Sequence, residues 1–350
     1  MVVGMAPRWP VGPAQGLMSA MPPVPEPYRP PEQLGEGRYV LHEPLGTGGM
    51  ATVYRVADTW FGVDRALKLL APHNAKSEKT RTRFVHEART MSVMDHPNIV
   101  RIQDIGSEEL HYYFVMELSA GGSLAAYLRR HGRRPPLEGL RLILQVLRGL
   151  EYAHLAGVVH RDIKPHNMLL TDVPDPAKMA MGQRNEVRLT DFGIARIVTK
   201  KMPRGDRLTG TGDTLGTLAY MSPEQRSDPR SCGPATDLYG VGATMYIMLT
   251  GRRPFDLSMA SMDTKVIGRV QPEIRPIVRR AVAHRPEDRF GSAASMADAV
   301  IEVYEQLCGG DPDEMGFLAA IDSGSIPRGE AVTQAYVAAG NLDAPEATEP

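Results

Sequence analysis

Cysteine is scarce in this chain: Cys232 and Cys308 are the only two. Two thiols cannot build a disulfide framework, and neither stands in a CxxC or CxxH spacing suited to zinc. A reducing compartment, and so a cytoplasmic location, is the expectation. Apolar runs are short as well. Crossing a bilayer takes ~18 to 20 uninterrupted apolar residues, whereas the uncharged run between Asp237 and Arg252, LYGVGATMYIMLTG, has 14 and reads as a buried helix. At the amino terminus, MVVGMAPRWP places its first positive charge after its short apolar stretch, so a signal peptide is not expected. Charge of one sign is missing too: Lys+Arg 40 against Asp+Glu 41 leaves a formal net charge of -1. That balance argues against a protein that coats nucleic acid or an anionic membrane. Aromatics make up 6% of the chain, beside 42% hydrophobic and 23% charged residues, a composition that suits a folded globular protein. The 350 residues leave room for two domains or one large bilobal unit.

Proline and glycine are distributed unevenly. Residues 1–35 hold 9 of the 29 prolines and four glycines, without an amphipathic period, and read as a disordered Pro-rich arm. Residues 308–350 carry eight acidic residues against one basic residue, Arg328, and read as an acidic, mostly disordered tail with one short helix near Ala331–Ala339. Between these ends, Tyr39–Leu45, Ala51–Val56 and Arg65–Leu70 are short strand-like runs broken by Gly and Asp. A helical pattern at Lys79–Met94 follows, then strand-like runs at Ile99–Ile105 and Tyr112–Leu118. Beyond them the pattern is helical: Ile143, Val146, Leu147 and Leu150 recur at i, i+3, i+4, i+7, and Met296, Val300, Val303, Tyr304 and Leu307 form a second stripe. The expectation is an α+β chain, with a strand-rich lobe over 36–118 and a larger helical lobe over 119–307.

Four constellations carry chemistry. In LGTGGMATVYRV, Gly46, Gly48 and Gly49 lie between two strands, where glycine permits close backbone approach to a phosphate chain. Alone this is more often an ordinary hairpin than a nucleotide site, with Ala51 at the third glycine position of G-x-G-x-x-G, and because Thr52–Val56 continues as a strand, a dinucleotide-binding fold is disfavoured. Lys68 is a single cation on an apolar strand and needs a partner. Glu87, nineteen residues on in the helical segment RFVHEARTM, could supply one, although the same two residues would also make a plain surface pair. In VVHRDIKPHNMLL, Pro165 favours a loop. There the Asp162 carboxylate can accept a hydroxyl proton, Lys164 can neutralise a phosphoryl group, and the Asn167 amide oxygen can ligate a metal. Finally, VRLTDFGIAR ends a strand on Asp191, Phe192 and Gly193, an acidic residue beside a flexible glycine that suits Mg²⁺.

In this order, with Ser222-Pro223-Glu224 following, these motifs resemble those of the protein-kinase family, over about residues 38–307. LGTGGMATVY, HRDIKP, DFGIAR and YMSPEQ are most similar to the bacterial, eukaryotic-like Ser/Thr kinases. The resemblance implies a bilobal protein-kinase-like fold with a small antiparallel-sheet lobe. It implies that ATP and Mg²⁺ are used and that protein Ser or Thr hydroxyls are phosphorylated. By the same resemblance Lys68 and Glu87 form the activating ion pair, Asp162 orients and deprotonates the substrate hydroxyl, and Asn167 with Asp191 holds Mg²⁺. Met116 becomes the residue behind the adenine pocket, Glu117 and Ser119 bond the base edge through their backbone, and Leu45, Val53, Ala66 and Leu169 sandwich the purine. Lys164 and Thr217 match the pattern of Ser/Thr kinases, Thr217 bonding the catalytic Asp and Lys.

The segment from Asp191 to Glu224 contains Thr209, Thr211 and Thr214. A phosphate on Thr209 or Thr211 could bind Arg161 and Arg196 and order the segment, so autophosphorylation there is expected, with plain loop polarity as the other reading. Asp237 is expected to bond catalytic-loop backbone, Glu224 to pair with Arg289, and His160 and Phe192 to stack in an internal column with Met91. Two stretches depart from the family pattern: 171–186 is long, and 256–272 is short. Pseudokinase scaffolding and small-molecule phosphotransfer are the competing functions. A homodimer through the small lobe is a further option the resemblance leaves open.

Overall fold

The computed structural model describes residues 28–171, 186–192, 218–228, 231–254, 257 and 264–323. The first half is a six-stranded sheet in the order β1-β2-β3-β4-β6-β5, every neighbouring pair antiparallel. Its strands are β1 (Gln33–Leu34), β2 (Tyr39–Thr47), β3 (Ala51–Asp58), β4 (Val63–Leu70), β5 (Ile102–Glu108) and β6 (His111–Glu117). Between β4 and β5 lie a single turn, α1 (Pro72–Ala75), and a 15-residue helix, α2 (Glu78–Ser92). Ser77 caps α2 by accepting from the Thr80 N–H, and Glu78 sits in its first turn, where the helix dipole favours negative charge.

Alternation along the strands divides the sheet between two cores. Tyr54, Val56, Leu67, Leu69, Tyr113 and Val115 join Leu34 and Tyr39 in a small outer cluster. Ala66, Leu70, Phe114 and Met116 point the other way, into a large cluster continuous with the helical half. The period of two therefore decides which strand residues can face the space between the halves.

The second half begins with β7 (Gly122–Ser123) and α3 (Leu124–His131), then α4 (Pro136–Leu155), a 20-residue helix with thirteen buried residues. Strands β7, β8 (Met168–Leu170) and β9 (Val187–Leu189) form a three-stranded antiparallel sheet. The helices that follow are α5 (Pro223–Ser227), α6 (Pro234–Thr250), α7 (Thr264–Ile267), α8 (Arg275–Ala281), α9 (Ala293–Cys308) and α10 (Pro312–Ser323). Helix α6, which the sequence reads as buried, is buried almost throughout and stops at Gly251, whose left-handed φ of 69° closes it. None of the described helices is long and apolar enough to cross a membrane.

Both ends of the fold depart from expectation. Within the stretch read as a Pro-rich arm, Gln33 and Leu34 pair with Val40 and Tyr39 as β1, and Leu34 is buried in the outer core. One apolar side chain under a two-residue strand is too little periodicity to read from sequence. Within the stretch read as a disordered tail, Pro312–Ser323 is helical. Its Glu314 bonds the buried Arg141 of α4 and the Tyr304 hydroxyl of α9, Phe317 packs on Tyr304, and Leu318 is buried. The acidic excess of the tail conceals that one of its carboxylates has a buried cation as partner, 173 positions away in sequence. Residues 1–27 and 324–350, including the helix expected near Ala331–Ala339, lie outside the described residues.

The helical half is braced by Arg289 against Glu224. The guanidinium donates Nη1 to Oε1 at 2.7 Å and Nη2 to Oε2 at 2.8 Å, and it also donates to the carbonyls of Ala235, Ala283 and His284. Burial alone would raise the Glu224 carboxyl, but the bonds from Arg289 outweigh it and hold the group down at about 2. Removing the fully buried guanidinium leaves the Glu224 carboxylate without a cation, bonded by the Thr236 hydroxyl, and strips three carbonyls of their side-chain donor. Arg289→Ala is therefore expected to lower unfolding free energy by about 3–5 kcal/mol, read as a large fall in thermal midpoint. A midpoint equal to the parent's would show that the pair does not brace the fold.

Candidate active site

The site starts on β4. Lys68 lies opposite Val53 of β3 and Phe114 of β6, and Ala66 lies opposite Met116. Four of the residues expected at a nucleotide thus share the inward face of the sheet. The Lys68 ammonium donates to Glu87 Oε1 at 2.8 Å and to Asp191 Oδ1 at 2.7 Å. Glu87 projects from α2, where it is 4% exposed, so the pair is internal rather than a solvated surface contact. Burial works against the ammonium, yet the two carboxylates outweigh it and hold its pKa above the ordinary lysine value. Burial raises the Glu87 carboxyl, while at Asp191 the same lysine overcomes burial and lowers it.

Below the cleft, the loop from His160 to Asn167 is organised by α6. Asp237 accepts from the backbone N–H of His160 at 2.8 Å and of Arg161 at 2.7 Å, and its carboxylate also meets His154 Nε2 at 2.9 Å. Arg161 has φ of 64° and Asp191 φ of 58°, left-handed positions that cost non-glycine residues strain and persist where their surroundings over-determine them. The Asp162 carboxylate meets Lys164 Nζ at 3.0 Å, and Asn167 Nδ2 donates to Asp162 at its carbonyl, 2.9 Å, and at Oδ2, 3.1 Å. Thr190 N–H donates to the Asn167 carbonyl at 3.0 Å, which sets Asn167 beside the backbone that carries Asp191. His160 stacks on Phe192 with ring centroids 4.4 Å apart, and Met91 belongs to the same core. Burial lowers the His160 pKa, favouring a neutral ring that bonds the Thr190 carbonyl and the Asp162 N–H.

The upper and rear walls complete the cleft. Gly46 is part of β2 opposite Val53, and the Gly48 N–H donates to the Ala51 carbonyl at 2.9 Å. A Cβ built on Gly46 or Gly49 would meet nothing within 4 Å. Packing inside the chain therefore does not demand these glycines, and the space over them is open for something to lie close against the backbone. Leu45 is half exposed, Met116 is buried, and Leu169 of β8 is partly buried against the core. The Glu117 side chain is tied to Arg188 and to the Arg101 N–H. At Ser119 the hydroxyl oxygen is buried with no partner among the described residues.

These positions unite what seven separate stretches of sequence supply: the glycine turn, Lys68, Glu87, the Asp162 loop, Asp191, Glu224 and Arg289. Residues 39–314 match the family model described as the protein kinase domain. The chain belongs to the protein kinase family. This kinase is 36% identical to the serine/threonine-protein kinase PknL of Mycobacterium tuberculosis over 284 residues, covering 78% of its own chain and 67% of PknL. It is 34% identical to the serine/threonine-protein kinase PrkC of Bacillus subtilis over 275 residues, 74% of its own chain but 39% of PrkC. Among solved structures, the PknI kinase domain of Mycobacterium tuberculosis superposes with a TM-score of 0.57 at 25% identity, covering 79% of this chain and 100% of that one.

Four expected residues, Thr209, Thr211, Thr217 and Gly193, lie outside the described residues, as do Thr214, Arg196 and most of 171–186. Two residues that sequence reading did not single out stand against the Asp162 loop. A Cβ on Gly240 would come within 2.7 Å of Ile163 Cβ and 2.8 Å of its carbonyl oxygen, so glycine there admits α6 to the loop. Gln225 Nε2 donates to the Arg161 carbonyl at 2.7 Å. Neither forms a motif, and only the GVG run and the Q of SPEQ hint at them.

Proposed function

We infer that this kinase transfers the γ-phosphoryl group of ATP to Ser or Thr hydroxyls of proteins, with Mg²⁺ as cofactor. The observation that carries the reading is the buried Lys68 ammonium held between Glu87 and Asp191, facing the loop that presents Asp162. Such a cation, pre-oriented by a carboxylate from a helix, is suited to the α- and β-phosphates of a nucleotide. Asp162 accepts the proton of the attacking hydroxyl, and Lys164 beside it neutralises charge on the transferring group. Thr217 would add its hydroxyl to that pair, and with Lys164 it favours Ser and Thr as acceptors. The names of PknL and PrkC agree with that preference. Leu45, Val53, Ala66, Leu169 and Met116 would enclose the base, with the Glu117 and Ser119 backbones on its edge. The orphaned Ser119 hydroxyl and the open space over Gly46 and Gly49 fit a nucleotide lying there.

Mg²⁺ would be held by Asn167 and Asp191. The donor set fits: Asn167 spends its amide nitrogen on Asp162, leaving Oδ1 as acceptor, and Asp191 adds a carboxylate, so both offer the hard oxygens this cation requires. When bound, the ion supplies charge neutralisation for the phosphates. All three groups whose loss would favour a pseudokinase, Lys68, Asp162 and Asp191, are present. Asp162→Asn and Lys68→Met are each expected to reduce incorporation of labelled phosphate from ATP into a generic protein substrate by ~10³-fold or more, with the fold retained by circular dichroism. Substantial activity in both variants would overturn the assignment.

Activation by autophosphorylation of Thr209 and Thr211 is part of the proposal. Arg161 favours it, because Nε and Nη1 of its guanidinium are buried without a partner among the described residues, and a phosphate would supply one. Mapping phosphopeptides of active protein should find Thr209 or Thr211 modified, and active enzyme with both unmodified would remove this element.

A homodimer through the small lobe also belongs to the reading. Trp60 and Phe61 are 74% and 67% exposed at the β3–β4 turn, with the Arg38 guanidinium 4.6 Å and 5.4 Å from their rings. Two adjacent exposed aromatics favour an apolar protein surface. Sedimentation of the parent should give a concentration-dependent dimer that Trp60→Ala with Phe61→Ala weakens at least ~10-fold, whereas a monomer at all concentrations would exclude it. A cytoplasmic location accords with two free cysteines.

A further inference from the structure

The Arg161 residue is held from both sides in a conformation it would not adopt unaided. Its N–H is bonded by Asp237 Oδ1 at 2.7 Å. Its carbonyl, which belongs to the peptide that leads into Asp162, is bonded by Gln225 Nε2 at 2.7 Å. The other end of that peptide, the Asp162 N–H, donates to His160 Nδ1 at 3.2 Å. With φ at 64°, Arg161 lies in the sparsely populated left-handed region. A peptide there keeps its orientation only while its polar groups are gripped. Gln225 is the grip on the oxygen.

The amide of Gln225 has no freedom to turn over. Its Oε1 accepts from the Ser222 N–H at 3.1 Å, and the Ser222 hydroxyl lies 3.4 Å from the same oxygen. Oxygen must face those donors, so nitrogen must face the Arg161 carbonyl. One side chain therefore performs two tasks. It closes the capping box of α5, and it reaches from the segment Ser222-Pro223-Glu224 to the loop bearing Asp162. Gln225, Arg161, Asp162, Tyr220 and Met221 line one small pocket, so the bond sits where the Ser222–Glu224 segment meets the Asp162 loop. Glu224, the neighbouring residue, is clamped by Arg289, which gives Gln225 a rigid base.

We propose that Gln225 is a positioning residue for the phosphotransfer reaction: its amide holds the Arg161 carbonyl and so fixes the peptide from which the Asp162 carboxylate projects. The proposal rests on the reading of Asp162 as proton acceptor. It deepens that reading by assigning the aim of Asp162 to a side chain of helix α5. A small misplacement of a reacting group can cost ~10²-fold in rate.

The test separates the two tasks. Gln225→Glu keeps an oxygen for the Ser222 N–H, and hence the capping box, but sets a carboxylate oxygen against the Arg161 carbonyl. Gln225→Leu removes both bonds without adding repulsion. Full-length protein is compared with Asp162→Asn in single-turnover phosphorylation of a Ser-containing peptide. Affinity for a non-hydrolysable ATP analogue with Mg²⁺ and the thermal midpoint are measured alongside. Gln225→Glu is expected to slow the single turnover by ~10-fold or more, with analogue affinity within ~2-fold and the midpoint near the parent's, and Gln225→Leu should fall between Glu and parent. A parental single-turnover rate for Gln225→Glu beside an inactive Asp162→Asn would refute the proposal and leave the reading of Asp162 standing. An active Asp162→Asn would overturn that reading instead, and the proposal with it. If the loss in Gln225→Glu merely tracks the unfolded fraction, the rate per folded molecule being parental, Gln225 caps a helix and nothing more.

Discussion

One ammonium group between two carboxylates holds the cleft together. Lys68 is attached to the sheet, Glu87 to α2 and Asp191 to the end of β9, so a single cation joins three elements that the chain delivers from distant positions. Charges buried without partners are costly, and this arrangement is stable only because each has an opposite within hydrogen-bond reach. The same neighbours settle the protonation states: the lysine stays charged despite burial, and Asp191 is held ionised beside it. Asp191 is also one of the two oxygen donors proposed for Mg²⁺, and the amide nitrogen of the other, Asn167, is already committed to Asp162.

A second layer holds this centre at the correct height. Asp237 rises from the buried helix α6 to bond two successive backbone N–H groups of the Asp162 loop. Glu224 and Arg289 fasten the segment that follows Thr217 to the helical half. Gly240 removes the side chain that would otherwise hold α6 away. The positive φ values of Arg161 and Asp191 mark where the backbone is bent to bring these pieces together. Rigidity at the loop and open space above the glycine turn are complementary: one side presents fixed groups, the other leaves room over the backbone.

Much of the centre was legible in the sequence because its chemistry is written as short ordered motifs. A lone lysine on an apolar strand announces a partner, and HRDIKPHN and DFG carry their carboxylates at fixed spacing. The pairing of Glu224 with Arg289 and the bonding of Asp237 to loop backbone came with the family resemblance rather than from periodicity. What stayed hidden depends on contacts made across long separations. The Arg141–Glu314 bond turns part of an acidic tail into helix α10, and Leu34 turns the end of a proline-rich stretch into a strand. Composition averages over such residues and so reads both ends as unstructured. Gly240 and Gln225 have no local signature, since each matters only for what stands opposite it in space.

The central claim is that Lys68, Glu87, Asp191 and Asn167 form one nucleotide and metal site. A crystal structure of the full chain with Mg²⁺ and a non-hydrolysable ATP analogue tests it most directly. The account predicts Lys68 still bonded to Glu87 while contacting phosphate oxygens, with the metal bound by Asp191 and Asn167. A nucleotide seated elsewhere, or bound with Lys68 parted from Glu87 and the metal away from Asp191, would contradict it.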